Sequence, residues 1–137
     1  MTDWILDACD EVMRELGSGN SEAVYQAALE VELRLRGVSF ESQRIVPITY
    51  KDHCVGHFRL DLVAWSHCND PFVIELKALN GPLRCEERRQ LEQYLRTTGI
   101  SEGYLVNFQQ KVGQVEVLKC DKGLWTEFRP VHGALEI

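Results

Sequence analysis

Proline is scarce, four residues in 137, and long apolar runs are missing altogether. A bilayer span needs ~18 consecutive apolar residues. The longest run here, Pro71 to Leu76 with its neighbours, is broken by Glu75 and Lys77, so no membrane span is expected. The start, Met1-Thr2-Asp3-Trp4, has no basic-then-apolar leader, and an intracellular location, cytoplasmic or nuclear, is the expectation. The five cysteines, Cys9, Cys54, Cys68, Cys85 and Cys120, are odd in number and include no Cys-x-x-Cys pair. Free thiols in a reducing compartment are the simplest reading. Positive charge is in deficit, 15 basic against 21 acidic residues, a net charge of −6. That excludes a protein that coats nucleic acid through a basic face, but not a small phosphate-handling site built around a metal. Linkers rich in proline or serine and internal repeats are absent as well. What is present, 45% apolar and 26% charged residues, suits one globular domain over 1–137. A chain of this length buries roughly two-thirds of its unfolded surface.

Periodicity then divides the chain. Residues 3–16 carry Ile5, Cys9, Val12 and Leu16 on one helical stripe, ended by Gly17-Ser18-Gly19. Asn20 or Ser21 can cap a second helix over 22–36, with Val24, Ala28, Val31 and Leu35 as its expected buried stripe. Glu30 with Arg34 and Glu32 with Arg36 are favourable surface pairs. The pattern becomes extended over 38–50, 55–65 and 72–79, with polar turns at 51–54 and 66–70, which predicts an antiparallel meander. Residues 83–97 read as a helix and 103–108 as a strand that a βαβ crossover makes parallel to 72–79. Further strands are expected at 112–120 and, at the edge, 124–128. The class is α/β, a mixed sheet flanked by helices.

Chemistry concentrates on two strands. In Phe72-Val73-Ile74-Glu75-Leu76-Lys77-Ala78-Leu79, alternation sends Val73, Glu75, Lys77 and Leu79 to one face and their neighbours to the other. Both faces are mostly apolar, so the strand is central, and an unpaired charge there would cost several kcal/mol. Asp61 sits likewise among apolar residues, and a hairpin brings it beside Glu75. Two such carboxylates repel unless a hard cation relieves them, and Mg2+ needs only one or two protein carboxylates. Lys77 beside it can orient water or meet charge developing on phosphorus. An Asp–Lys or Glu–Lys ion pair that merely sets strand register is the other reading. Arg59, on the face expected for Asp61, and Arg84, Arg88 and Arg89 in the following helix are candidate phosphate contacts, or else a solvated face interleaved with Glu86, Glu87 and Glu92. His53, Cys54, His57, His67 and Cys68 match no common zinc-finger spacing.

Asp61 followed by Glu75-Leu76-Lys77 resembles the signature of the PD-(D/E)xK nuclease superfamily, in its α-β-β-β-α-β order. Gly19 to Tyr25 is similar to the Gly-x-x-Glu-x-x-Tyr motif of a small family named after it, and Gln90 with Tyr94 resembles the Gln-x-x-x-Tyr motif of RecB-like members. Leu60 stands where the signature name has proline. The match covers about 16–108 and leaves 109–137 as a C-terminal extension. The resemblance implies a restriction-endonuclease-like fold and a nuclease using Mg2+ or Mn2+. Asp61 and Glu75 would ligate the metal with the Leu76 carbonyl, and Glu22 would complete or widen the site. Lys77 would position water, and Gln90 would orient Lys77 or substrate. Tyr94 is also a candidate substrate contact; otherwise Tyr25 and Tyr94 are core aromatics, Glu22 simply a favourable charge at a helix start, and Gln90 an exposed helix residue. The partner expected is nucleic acid, DNA ahead of RNA, with a homodimer or partner protein helping to hold it. The rival is an inactive nuclease-derived scaffold working through a protein partner.

Overall fold

The computed structural model describes residues 3–65 and 68–129. The elements run α1 (Asp3–Leu16), α2 (Glu22–Leu35), β1 (Phe40–Tyr50), β2 (His53–Trp65), β3 (Pro71–Lys77), α3 (Cys85–Thr98), β4 (Glu102–Gln109), β5 (Gln114–Asp121) and β6 (Leu124–Arg129). The six strands lie side by side in chain order in one sheet. β1, β2 and β3 form the antiparallel meander, β3 and β4 pair in parallel through α3, and β5 and β6 return antiparallel. The expected residues 66–67 of the β2–β3 turn, His67 among them, and the tail 130–137 lie outside the described residues.

Each sheet face carries its own core. Phe72, Ile74 and Leu76 of β3 join Leu62, Ala64, Tyr104 and Val106 under α1 and α2. Val73 joins Leu60, Val63 and Leu105 against Leu91, Tyr94 and Leu95 of α3. β3 is thus buried on both faces with the alternation its sequence implies. Gly103 lets α3 lie close to β4: a Cβ there would stand 3.1–3.2 Å from methyls of Leu91 and Leu95.

The buried stripe of α2 is a correction. Tyr25, Gln26, Leu29 and Leu33 face the sheet, whereas Val24, Val31 and Leu35 are exposed. Both sets recur at helical spacing, and the larger Tyr25–Leu29–Leu33 set wins because it fills the volume over β4. The Tyr25 ring stacks on Phe108 at 4.6 Å. In α1 the stripe holds for Ile5, Cys9 and Val12, but Leu16 at the last turn is exposed. Ser21, not Asn20, caps α2, its hydroxyl accepting the Val24 N–H. Both surface pairs form, Glu30 with Arg34 and Glu32 with Arg36. All five cysteines are free thiols, and burial pushes the Cys9 thiol up to about 12.

Candidate active site

The site begins where the β2–β3 ladder stops. Its last pair toward the C-terminal end of β3 is Leu62↔Ile74, one residue short of Asp61 and Glu75. Beyond it the strands separate and side chains replace the missing main-chain partners. Glu75 Oε1 accepts the Asp61 N–H at 2.8 Å, and Asp61 Oδ2 accepts the Leu76 N–H at 2.8 Å. The two acids therefore share one gap, each bracing the other's strand. In a strand the N–H and C=O of one residue point to the same edge, so the Leu76 carbonyl opens toward this gap.

Lys77 lies two residues on, toward α3, and its Nζ donates to Gln90 Oε1 at 3.1 Å. The loop after it is held by a buried polar knot. Asn107 Oδ1 accepts the Leu79 N–H, its Nδ2 donates to the Gly81 carbonyl and to Glu116, and Glu116 Oε1 accepts the Leu83 N–H, each at 3.0 Å. That knot fixes where α3 starts and hence where Gln90 stands. Nothing in the sequence flags Asn107 and Glu116, because both sit inside strands with no local signal.

Electrostatics sets the pair apart. Glu75 is 3% exposed, and burial, with the Asp61 charge behind it, raises its carboxyl to about 9. Burial likewise raises Asp61, opposed by the Leu76 N–H and by Lys77. Among the described residues neither acid has a close ion pair. Tyr94, on the Gln90 side of α3, stacks on Phe58 at 4.3 Å. Burial and then Glu75 and Asp61 push its hydroxyl up to about 12. It is a core aromatic bordering the acids.

Glu22 reaches the site only electrostatically. Burial and Asp61 raise its carboxyl while Lys77 opposes them, yet its residue is exposed. Among the described residues no three His, Cys, Asp or Glu side chains stand together as a ready metal cage. The position of Glu22 follows from its motif: the Tyr25 hydroxyl donates to the Gly17 carbonyl at 2.6 Å, and Gln110 Oε1 accepts the Gly19 N–H. This ties the α1–α2 turn to the end of β4 and leaves Glu22 at the rim.

The arginines divide. Arg88 is a correction: it lies over the Trp125 ring, 5.5 Å from its centroid, toward β6, three strands from the gap. Two residues along a helix rotate ~200°, so with Gln90 on Lys77, Arg88 turns away. Arg59 is a second correction. Phe58 and Leu60 pack on the α3 side but Leu62 on the α2 side, so the alternation meant to align Arg59 with Asp61 breaks between them; Arg59 is exposed. Arg84 is exposed at the head of α3, its N–H donating to Glu87 Oε1 at 2.6 Å.

Sequence reasoning missed two more residues at Asp61. Gln26 Nε2 donates to the Asp61 carbonyl at 3.0 Å, and Gln43 Nε2 donates to Gln26 Oε1 at 3.0 Å. Gln26 is buried on α2, an unusual place for a glutamine; Gln43 has no local signal.

A mixed sheet with helices on both faces, and two acids with an amine where its central strands part, define a restriction-endonuclease-like architecture. The PD-(D/E)XK nuclease superfamily model matches residues 1–119, and the chain belongs to that superfamily. Among solved structures it is similar to one titled "Crystal structure of SSO0001", with 19% identity and a TM-score of 0.58 over 74% of this chain and 51% of that one. The chain thus spans about half that protein's length, and the likeness is one of fold. No curated protein matches it. No helix among the described residues is long and apolar enough to cross a membrane.

Proposed function

We propose that the protein hydrolyses phosphodiester bonds in nucleic acid, DNA ahead of RNA, with Mg2+ or Mn2+ held by Asp61 and Glu75. The observation that carries this reading is the shared gap: the buried Glu75 and the half-buried Asp61 carboxylates crossed over each other's strands, with Lys77 set beside them by Gln90. The donor set suits a hard cation. Two carboxylates and a main-chain carbonyl leave positions for water and phosphate oxygens, as Mg2+ demands, while the lack of a thiolate or imidazole argues against structural zinc. When bound, such an ion supplies neutralisation of phosphate charge and a more acidic water.

The chain's own residues do the rest. Asp61 and Glu75 hold the ion in a low-dielectric gap, where charge interactions are strong. The Leu76 carbonyl adds a third oxygen. Lys77 presents its ammonium to water or to negative charge developing on phosphorus, and Gln90 keeps that ammonium from folding back onto the acids. Glu22 at the rim adds negative charge that favours a second or more loosely held cation. Its tether through Tyr25 and Gly17 supports the likeness to the Gly-x-x-Glu-x-x-Tyr proteins.

Incubation of the protein with single- and double-stranded DNA and RNA, with Mg2+ or Mn2+ and then with EDTA, tests the reading. Cleavage that needs metal and disappears in Asp61→Ala and Lys77→Ala supports it. Absence of cleavage with every metal and substrate rejects it in favour of a scaffold.

A further inference from the structure

Gln43 is the one non-glycine residue with positive φ inside a strand among the described residues, at φ 54°. Lys51, Asp52, Asn69 and Lys122 share that conformation but occupy the connections between strands. The left-handed region brings the Cβ of an L-residue too close to the following carbonyl oxygen, and glutamine lacks the short side chain that eases this in asparagine. Strain of this kind persists where the surroundings impose it and often marks a site.

The location is specific. The β1–β2 register steps from Ser42↔Leu62 to Arg44↔Leu60, so Gln43 stands across from Asp61 without pairing. Its amide donates to Gln26, and Gln26 donates both to the Asp61 carbonyl at 3.0 Å and to Glu30 at 3.1 Å. A polar chain thus runs from α2 through two glutamines to the main chain of one acid. It crosses a region where apolar side chains would otherwise pack over the sheet.

We infer that Gln43 and Gln26 are positioning residues, which use the strained backbone at 43 to hold Asp61 aimed into the β2–β3 gap for a divalent cation. The inference rests on the metal-centre reading above. Partners that orient a metal ligand typically account for 10–100-fold in metal affinity.

Mn2+ titration by calorimetry of the intact chain tests it, with Gln43→Gly and Gln26→Leu beside the unaltered protein. Glycine accepts the left-handed backbone without strain, so Gln43→Gly removes the amide and little else. We expect it to melt within a few degrees of the unaltered protein and to bind Mn2+ 10–100-fold more weakly. Without metal, its amide spectrum should change chiefly at Asp61 and Leu76, the N–H groups that bond across the gap. Gln26→Leu should weaken Mn2+ binding similarly. Unchanged affinity in Gln43→Gly with unmoved Asp61 and Leu76 amides overturns the inference. Lower melting temperature with spectral change throughout the chain also overturns it, because the role is then purely structural. If the unaltered protein binds Mn2+ and Gln43→Gly binds it equally well, the inference fails alone. If the unaltered protein binds none, the metal-centre reading fails with it.

Discussion

Replacing Glu75 by glutamine should make the metal-free protein more stable while abolishing its grip on metal. The amide in Glu75→Gln keeps an oxygen to accept the Asp61 N–H, which Glu75 Oε1 receives at 2.8 Å, and the change removes only the charge. In the folded chain the Glu75 carboxyl is raised from 4.5 to about 9, first by burial and then by Asp61. The sign follows from linkage: a group whose folded value is raised contributes stability below its unfolded value, and that contribution is lost as pH climbs toward the folded value. The unaltered protein should therefore weaken steadily between pH 4.5 and about 9, whereas the variant lacks this slope. Each pH unit in that window is worth ~1.4 kcal/mol, so the gain at pH 8 is between ~2 and ~5 kcal/mol once water reaching the gap is allowed for. At ~3–5 °C per kcal/mol for this chain length, the melting temperature should rise by roughly 6–25 °C. Thermal unfolding in EDTA at pH 5 and pH 8 is the assay, and the gain should nearly vanish at pH 5. A variant no more stable than the parent at pH 8, or equally stabilised at both pH values, would falsify the claim that Glu75 is held against its charged form.

Other consequences follow from the same geometry. Lys77→Met should retain Mn2+ binding by calorimetry but lose ~10²–10³ in cleavage rate, and normal turnover would remove Lys77 from the chemistry. Tyr25→Phe loses the bond to the Gly17 carbonyl (2.6 Å) and should cost ~1–2 kcal/mol, read as a lower urea midpoint; an unshifted midpoint would show that the α1–α2 turn is held elsewhere. Gly103→Ala pushes a methyl into Leu91 and Leu95. A loss of ~1–3 kcal/mol is expected, and a neutral result would mean that α3 yields freely.

The order of elements and the pairing of Asp61 with Glu75 were legible because strand punctuation and buried charge are local signals. An acid and an amine two residues apart in a run of β-formers need an explanation wherever the strand lies. Helix phase was not legible. Val24, Val31 and Leu35 mimic a core stripe as well as Tyr25, Leu29 and Leu33 do, and only the space over Phe108 decides between them. Arg88 failed for the same reason, since its angle to Gln90 matters only once Lys77 has chosen the Gln90 side. Arg59 was misplaced because alternation assumes an unbroken strand, and β2 changes face between Leu60 and Leu62. Gln26 and Gln43 stayed hidden because glutamine has no strong preference for turns, caps or cores. Their meaning comes from an unpaired position in the β1–β2 ladder, which joins residues far apart in sequence.

The most direct test is a crystal of the unaltered protein soaked in Mn2+, with anomalous data collected to locate the ion. A single strong peak in contact with the carboxylates of Asp61 and Glu75, lost in Asp61→Ala, is the predicted result. Manganese bound elsewhere, with the gap between β2 and β3 left empty, would contradict it.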